Sequence, residues 1–123
     1  MFSVLEITNL IRNGMSNEIT IYPLQFPKKS KDASSIVNVT SSSPINGGVG
    51  QASVQVITRD RHPANAEQTA NEIRSFLEKR TDFFIGEVQI VLVQSENTFP
   101  LYIGTDENER HLFSLNYKFI LGV

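Results

Sequence analysis

The most constraining feature of this sequence is the alternation in HLFSLNYKFIL, residues 111–121. Every second side chain there is large and apolar, and the side chains between them are mostly polar. A period of two predicts a β-strand with one face turned to a core, and such a strand needs neighbouring strands and a covering layer. The apolar face consists of Phe113, Leu115, Tyr117, Phe119 and Leu121.

A helix suited to cover that face is predicted after Pro63. In PANAEQTANEIRSFLEKR the apolar residues recur at steps of four, three and four, which places them along one side of a helix. The stripe consists of Ala66, Ala70, Ile73 and Leu77, with Phe76 beside it. Proline suits the first turn because no helical partner exists there for the amide hydrogen that it lacks.

A second helix is predicted near the N-terminus. Ser3 and Glu6 form the pattern Ser-x-x-Glu, in which each side chain accepts a hydrogen bond from the backbone amide of the other residue. Gly14 is a natural end for this helix. The apolar stripe consists of Val4, Ile7, Leu10 and Ile11.

Four further segments have strand character: EITIYPLQF, SSIVNVTSSS, QASVQVITR and GEVQIVLVQ. Prolines interrupt the first, which predicts a short edge strand. The last is apolar on both faces, so we expect it to be central, with Val88, Ile90 and Leu92 pointing inward. Together the elements predict one α+β domain over residues 1–123. Its sheet is mostly antiparallel with four to five strands, and the N-terminal and central helices pack on one face.

Composition narrows the classes of function. A hydrophobic content of 40% and a charged content of 20% are ordinary for a soluble domain. The net charge of −2 gives no overall attraction to nucleic acid or to an anionic membrane. The absence of cysteine excludes disulfides and thiolate metal sites. The longest apolar run, residues 90–93, is too short to cross a membrane, so we expect no membrane partner.

The polar stretch TDENERH, residues 105–111, is the main candidate for chemistry. Its carboxylates are neighbours in one run, whereas metal ligands converge from several elements. No serine lies in a Gly-x-Ser-x-Gly motif. We therefore predict no catalytic residue, no metal site and no cofactor. A hard-cation site built from Asp60, Asp106 and Glu109 is the alternative.

The glycine-rich segment SSSPINGGVGQ lacks both the Gly-x-Gly-x-x-Gly and the Gly-Lys-Ser/Thr patterns of phosphate-binding loops. It predicts a long flexible hairpin from Ser41 to Gly50 between two strands. The basic segment KKSKD, residues 28–32, is interpreted as a solvated connection.

Three segments together resemble siphophage tail terminator and minor capsid proteins. VQVITRDRHPANAEQTANEIRSFLEKR is similar to the family's strand, basic loop and helix, in which the helix has the form A-x-x-x-A-x-x-I-x-x-x-L. FPLYIGTDENERHLFSLNYKF resembles the closing segment P-x-Y-x-G-x-D-E-x-x-R, which precedes a strand with aromatic residues and an Asn. EVQIVLVQ lies between them. The matching positions of the closing segment are Pro100, Tyr102, Gly104, Asp106, Glu107, Arg110 and Asn116.

The resemblance implies a structural virion protein that is not an enzyme. It would form a ring, usually a hexamer, on the head-proximal end of the tail tube, where it ends tube polymerisation and offers a surface for head–tail joining. The implied partners are further copies of the chain, the major tail tube protein and a head-completion or neck protein. Genomic DNA would pass through the lumen without sequence-specific binding, and assembly would take place in the bacterial host cytoplasm.

Within such a ring we expect two contact surfaces. Charged groups near the acidic turn would fix the register between neighbours, since mixed charge contributes more to register than to affinity. This predicted interface consists of Arg59, Asp60, Arg61, Asp106, Glu107, Glu109 and Arg110. The predicted partner-contact loop consists of Pro44, Ile45, Asn46, Gly47, Gly48 and Val49.

Three alternatives stay open from the sequence. The first is a head-completion or other neck connector protein. The second is a small metal-dependent hydrolase that uses Asp60, Asp106, Glu109 and His111. The third is a monomeric binding module that grips a partner with the glycine-rich hairpin.

Overall fold

A computed structural model of the chain describes residues 3–15, 18–46, 49–78 and 80–122. Within these residues there are two helices, α1 (Val4–Gly14) and α2 (Pro63–Leu77). The strands there are β1 (Ile21–Pro23), β2 (Ser34–Asn46), β3 (Val49–Asp60), β4 (Thr81–Ile85), β5 (Val88–Ser95), β6 (Leu101–Thr105) and β7 (His111–Gly122).

The strands form one sheet in the order β1-β2-β3-β7-β5-β4, and β6 pairs with β7 outside this order. β1 runs parallel to β2, and the other pairs are antiparallel, so the sheet is mixed. β3 lines one side of β7 over residues 111–122. On the other side, β5 pairs with residues 117–122 and β6 with residues 111–114. Two strands therefore share that side of β7, one toward each end.

The predicted α+β fold with two helices is confirmed, but the predicted count of four to five strands is too low. The sheet has seven strands in the described residues, and the two that the sequence analysis missed are β4 and β6. Neither TDFFI nor LYIGT alternates between apolar and polar residues, so neither gives the period-two signal.

The core forms where the sequence patterns place it. All five predicted inward residues of β7 are buried, and so is the whole predicted stripe of α2. In α1 the predicted capping box is present, because Glu6 N donates to Ser3 Oγ and Ser3 N donates to Glu6 Oε1. Ile7 and Ile11 of α1 join the same apolar core as the buried residues of α2 and the sheet.

The inward face predicted for β5 is wrong after Ile90, because the strand contains a bulge. Ile90 pairs with Leu121 and Leu92 with Ile120, so Val91 is an extra residue in the ladder. The side chains after the bulge change sides, and Val93 rather than Leu92 is buried. Val91 itself is exposed, so β5 is not covered on both faces as predicted.

The hairpin between β2 and β3 is more regular than predicted. Ser41, Ser42 and Ser43 pair with β3, and the described ladder ends at Asn46 opposite Val49. Most of the segment predicted as a flexible loop is therefore strand, because β3 supplies pairing partners as far as Asn46, which is a tertiary effect that overrides local preference. Gly47 and Gly48, which were predicted to belong to the loop, lie outside the described residues.

Candidate functional site

The two charged segments singled out in the sequence meet at one end of the sheet. Asp60, the last residue of β3, lies opposite His111, the first residue of β7. His111 also pairs with Thr105 at the end of β6. The residues that follow β3 and those of the β6–β7 turn are thereby held side by side. We call this region the charged end.

A carboxylate outside the predicted interface connects the two segments. Asp32, from the loop between β1 and β2, binds Arg61 at 2.7 Å (Nε to Oδ2). Its other oxygen lies 3.5 Å from an Arg110 guanidinium nitrogen, and Arg110 Nε lies 2.8 Å from Asp106 Oδ2. The hydrogen bond from Arg61 lowers the pKa of Asp32, and Arg110 adds to this effect. Three loops are thus joined by one chain of alternating charges.

Arg59 has a different environment from Arg61. It is only 5% exposed, and its guanidinium donates to Ser30 Oγ and to the carbonyls of Lys31 and Asp32. The guanidinium carbon also lies 3.9 Å from the centre of the Phe26 ring. Arg59 therefore fixes the β1–β2 loop to the sheet, and its charge is turned inward.

Asp106 shapes the β6–β7 turn. Its Oδ1 accepts from the backbone amides of Asn108 (2.9 Å) and Arg110 (3.0 Å), and Glu109 adopts the left-handed conformation with φ of 61°. Partial burial acts to raise the pKa of Asp106, but these amide hydrogen bonds and the Arg110 guanidinium bring it below its ordinary value of 3.8. Asp106 is thus a turn-forming residue whose carboxylate is already engaged.

Glu107 and Glu109 are the exposed acids of the turn. Asp60 is half-buried and accepts from the backbone amide of His62, one residue before α2 begins. The Nδ1 atom of His111 lies 2.9 Å from the hydroxyl oxygen of Tyr102, within hydrogen-bonding distance. The seven residues predicted as an interface are therefore brought together. Among them Arg61, Glu107 and Glu109 are exposed, and Arg61 is also paired with Asp32.

The described residues contain no group of three or more His, Asp or Glu side chains arranged to hold a metal ion. The hydrolase alternative requires the side chains of Asp60, Asp106, Glu109 and His111 to converge around one metal ion, and the described residues do not arrange them in this way. None of the helices in the described part of the chain is long and apolar enough to cross a membrane.

The described residues of the predicted partner-contact loop lie far from the charged end. Val49, the first residue of β3, pairs with Gly122 at the other end of β7 and is exposed. Pro44, Ile45 and Asn46 are the last residues of β2. The two predicted contact surfaces are therefore at opposite ends of the sheet.

These features describe a small α+β protein whose charged loops are held in place by internal hydrogen bonds and ion pairs. The chain belongs to the bacteriophage tail terminator family, since the family model described as "Bacteriophage tail terminator protein" matches residues 11–123. It is therefore a structural tail protein, and the family resemblance noted in the sequence is confirmed.

No curated protein sequence matches the chain. Among solved structures, the fold is similar to that of a chain described as "Virion of native gene transfer agent (GTA) particle", with a TM-score of 0.59 and 14% sequence identity. The match covers 85% of this chain and 79% of that chain. At this identity the likeness shows a shared fold.

Proposed function

We propose that this protein forms a closed ring, of six copies in the simplest case, that caps the head-proximal end of a phage tail tube. The observation that carries the proposal is the family match over residues 11–123. By occupying the end of the tube, the ring stops the addition of further tube subunits and offers a surface for head–tail joining. The protein acts as a scaffold and not as an enzyme.

The exposed apolar surface supports assembly. Phe84 and Phe99 are each 65% exposed, and Leu101, Tyr102 and Ile103 are also exposed. The exposed side chains fall into two groups, Phe84 on β4 and residues 99–103 on and before β6, and exposed apolar groups of this kind mark interaction sites. In a closed ring each copy presents two different surfaces, which fits a chain with separate apolar patches.

The charged end and the β2–β3 tip are the contact surfaces that we propose. Glu107, Glu109 and Arg61 would meet the charges of a partner, while Arg59, Asp106 and Arg110 hold them in position; Asp60 borders this group. The proposed tip comprises Pro44, Ile45, Asn46, Gly47, Gly48 and Val49, of which Val49 lies at the other end of the sheet. The charged end suits contacts between copies in the ring, and the tip at the other end suits contact with a further partner, the major tail tube protein or a head-completion or neck protein.

Genomic DNA is proposed to pass through the lumen without sequence-specific binding. The net charge of −2 supports this, because a protein that held DNA tightly would need an excess of basic residues. Assembly in the cytoplasm of the bacterial host and a final location in the virion complete the proposal.

The mass of the purified protein, measured alone and with preformed tail tubes, tests the ring. We expect a single species at six times the chain mass of 13.8 kDa, either free or on the tube. A protein that stays monomeric in both conditions would contradict the proposal. Binding to the portal end of empty heads in place of tubes would instead assign it as a neck connector.

A further inference from the structure

An exposed arm extends from the charged end. It consists of residues 99–105, that is β6 and the two residues before it, and we call it the β6 arm. Phe99, Leu101, Tyr102 and Ile103 are all large, apolar and exposed, at 65%, 42%, 53% and 50%. Since neighbouring residues of a strand point to opposite faces, exposed apolar side chains lie on both faces of β6, and Tyr102 packs partly against Phe113 of β7.

The β6 arm is held in a defined position. Asn97 Oδ1 accepts from both the backbone amide and the side-chain amide of Asn116, which fixes the chain where it leaves β5. The Tyr102 ring packs edge-on against Phe113 with 5.3 Å between ring centres. Within the described residues β6 pairs with β7 alone, so its outer edge offers free backbone hydrogen-bonding groups. A fixed strand with apolar side chains is suited to dock into another surface.

A groove that complements the arm lies between α1 and β4. We call it the α1–β4 groove; it has a volume of about 620 Å³, and its lining combines the apolar Leu10, Phe76 and Phe84 with the polar Asn9 and with Glu6, whose carboxylate accepts from the Ser3 amide. Arg80 also lines it, with its guanidinium stacked 4.5 Å from the centre of the Phe76 ring. In the described part of the chain Arg80 forms no ion pair with a carboxylate, so its charge is open to an acid from outside.

The arm and the groove lie toward opposite ends of β7. β6 pairs with residues 111–114 of β7. Phe84, in contrast, pairs with Gln89, which pairs with Gly122. The arm of one molecule therefore cannot reach its own groove, but it can reach the groove of a second copy placed beyond the end of the first. Head-to-tail contacts of this kind close into a ring when each step includes a rotation.

We propose that the β6 arm of one copy occupies the α1–β4 groove of the next copy in the ring. The apolar side chains of the arm lie against Leu10, Phe76 and Phe84, and the exposed acids of the adjoining turn, Glu107 and Glu109, lie near Arg80. The match in both polarity and charge identifies a second copy of the chain as the occupant. The inference rests on the proposed ring, and it adds the pair of surfaces that closes it.

Thiol cross-linking tests the contact directly, because the chain has no cysteine of its own. Ile103→Cys marks the arm and Phe84→Cys marks the groove; both side chains are exposed, so neither change disturbs the core. With a short bis-maleimide, the double variant should give a ladder of dimers, trimers and larger species. Each single variant alone should give no dimer, and a mixture of the two single variants should give dimers only.

The outcomes separate this inference from the proposed ring. If the double variant assembles like the natural protein but gives no ladder, the arm–groove contact is wrong and the ring stands. If the single variants cross-link to themselves, the contact is two-fold and not head-to-tail, which also overturns the inference. A ladder from open chains that never close supports the contact and contradicts the ring. If the protein is monomeric even on tail tubes and gives no ladder, both fail.

A variant pair gives the same test without a cross-linker. Ile103→Asp places a charge on the arm, and Phe84→Asp places one in the groove. Each variant alone should lose the ring and remain a folded monomer by circular dichroism. A mixture should form a complex of two chains and no more, because only one arm and one groove remain intact in it. Full rings from either variant alone would overturn the inference.

Discussion

Arg59 and Arg61 lie two residues apart at the end of β3, and they have opposite surroundings. Arg59 is buried and bonded to three acceptors of the β1–β2 loop, whereas Arg61 is half-exposed and pairs with Asp32 alone. Removing the first guanidinium leaves a gap and frees the loop, while removing the second leaves groups that water can reach. The pair therefore allows a comparison of a buried and an exposed arginine in one protein.

We expect Arg59→Met to lower the free energy of unfolding by about 2–3 kcal/mol, the usual range for hydrogen bonds to a buried charged group. Arg61→Met is the matched control and should cost about 0–1 kcal/mol, as exposed ion pairs do. Urea unfolding followed by circular dichroism measures both values. Equal effects of the two changes would contradict the structural role of Arg59.

Asp106 gives the charged end a dependence on pH. Because its pKa is lower in the folded chain than its ordinary value of 3.8, the ionised form adds stability above that pH. This contribution is lost as the pH falls through the folded-state pKa. We expect the stability difference between the natural chain and Asp106→Asn to be largest near neutral pH and to shrink below about pH 4. Urea unfolding at pH 7, 5, 4 and 3 measures it.

Glu107→Gln is the control for this series. The Glu107 side chain makes no hydrogen bond or ion pair within the described residues, so its removal should give a small difference at neutral pH. A difference for Asp106→Asn that stays constant down to pH 3 would show that its carboxylate does not stabilise the turn through its charge.

The acidic run shows how far single residues can be predicted here. The sequence predicts a turn with several carboxylates, and the structure has one at that place. It does not predict which carboxylate turns back onto the backbone, because that depends on the left-handed conformation of Glu109 and on Arg110. Asp32 was missed for a related reason: 78 residues separate it from Arg110, and no local pattern joins them.

At the scale of elements, α2 holds the layers together. Leu77 is fully buried at the end of its apolar stripe and belongs to the core cluster. Leu77→Ala should lower the free energy of unfolding by about 2–5 kcal/mol, since the change leaves a cavity in a packed core. Leu5→Ala is the control, because Leu5 of α1 is 52% exposed. We expect it to lower the free energy of unfolding by less than about 0.5 kcal/mol. A similar loss at both positions would place the core elsewhere.

Elements with a strong period were predicted well, and short elements were not. α2 and β7 each repeat a pattern over several turns or residue pairs, and their buried faces agree with it. In α1 the agreement is partial, because Val4 and Leu10 of the predicted stripe are partly buried and Thr8, outside it, is fully buried. β4 and β6 have five residues each and no alternation. They are strands because β5 and β7 supply their hydrogen bonds, which is a tertiary effect. The bulge at Val91 shows the same limit, since one extra residue reversed the predicted face after it.

For the whole molecule, the exposed acids of the β6–β7 turn should matter for assembly and not for folding. Asp106 is excluded from this test because it forms the turn itself. Glu107→Lys with Glu109→Lys should change the free energy of unfolding by about 1 kcal/mol or less, since both side chains are exposed. The same double change should weaken the ring, because like charges repeat at every contact between copies.

A matched reversal at Glu18 and Glu96 makes the same change in net charge at exposed sites away from the turn. It should leave the ring mass unchanged in native mass measurements. In a phage that carries the turn reversal, we expect overlong or headless tails while the subunit stays soluble. Tails of normal length joined to heads would contradict this prediction and would show that Glu107 and Glu109 are solvated residues with no role in assembly.

We propose that this protein ends the growth of the tail tube. The most direct measurement is the length of tubes that polymerise from purified tail tube protein with and without it, imaged by electron microscopy. We predict that tubes stop lengthening when the protein is added and that each carries a ring at one end. Tubes that reach the same lengths with bare ends in both samples would contradict the account.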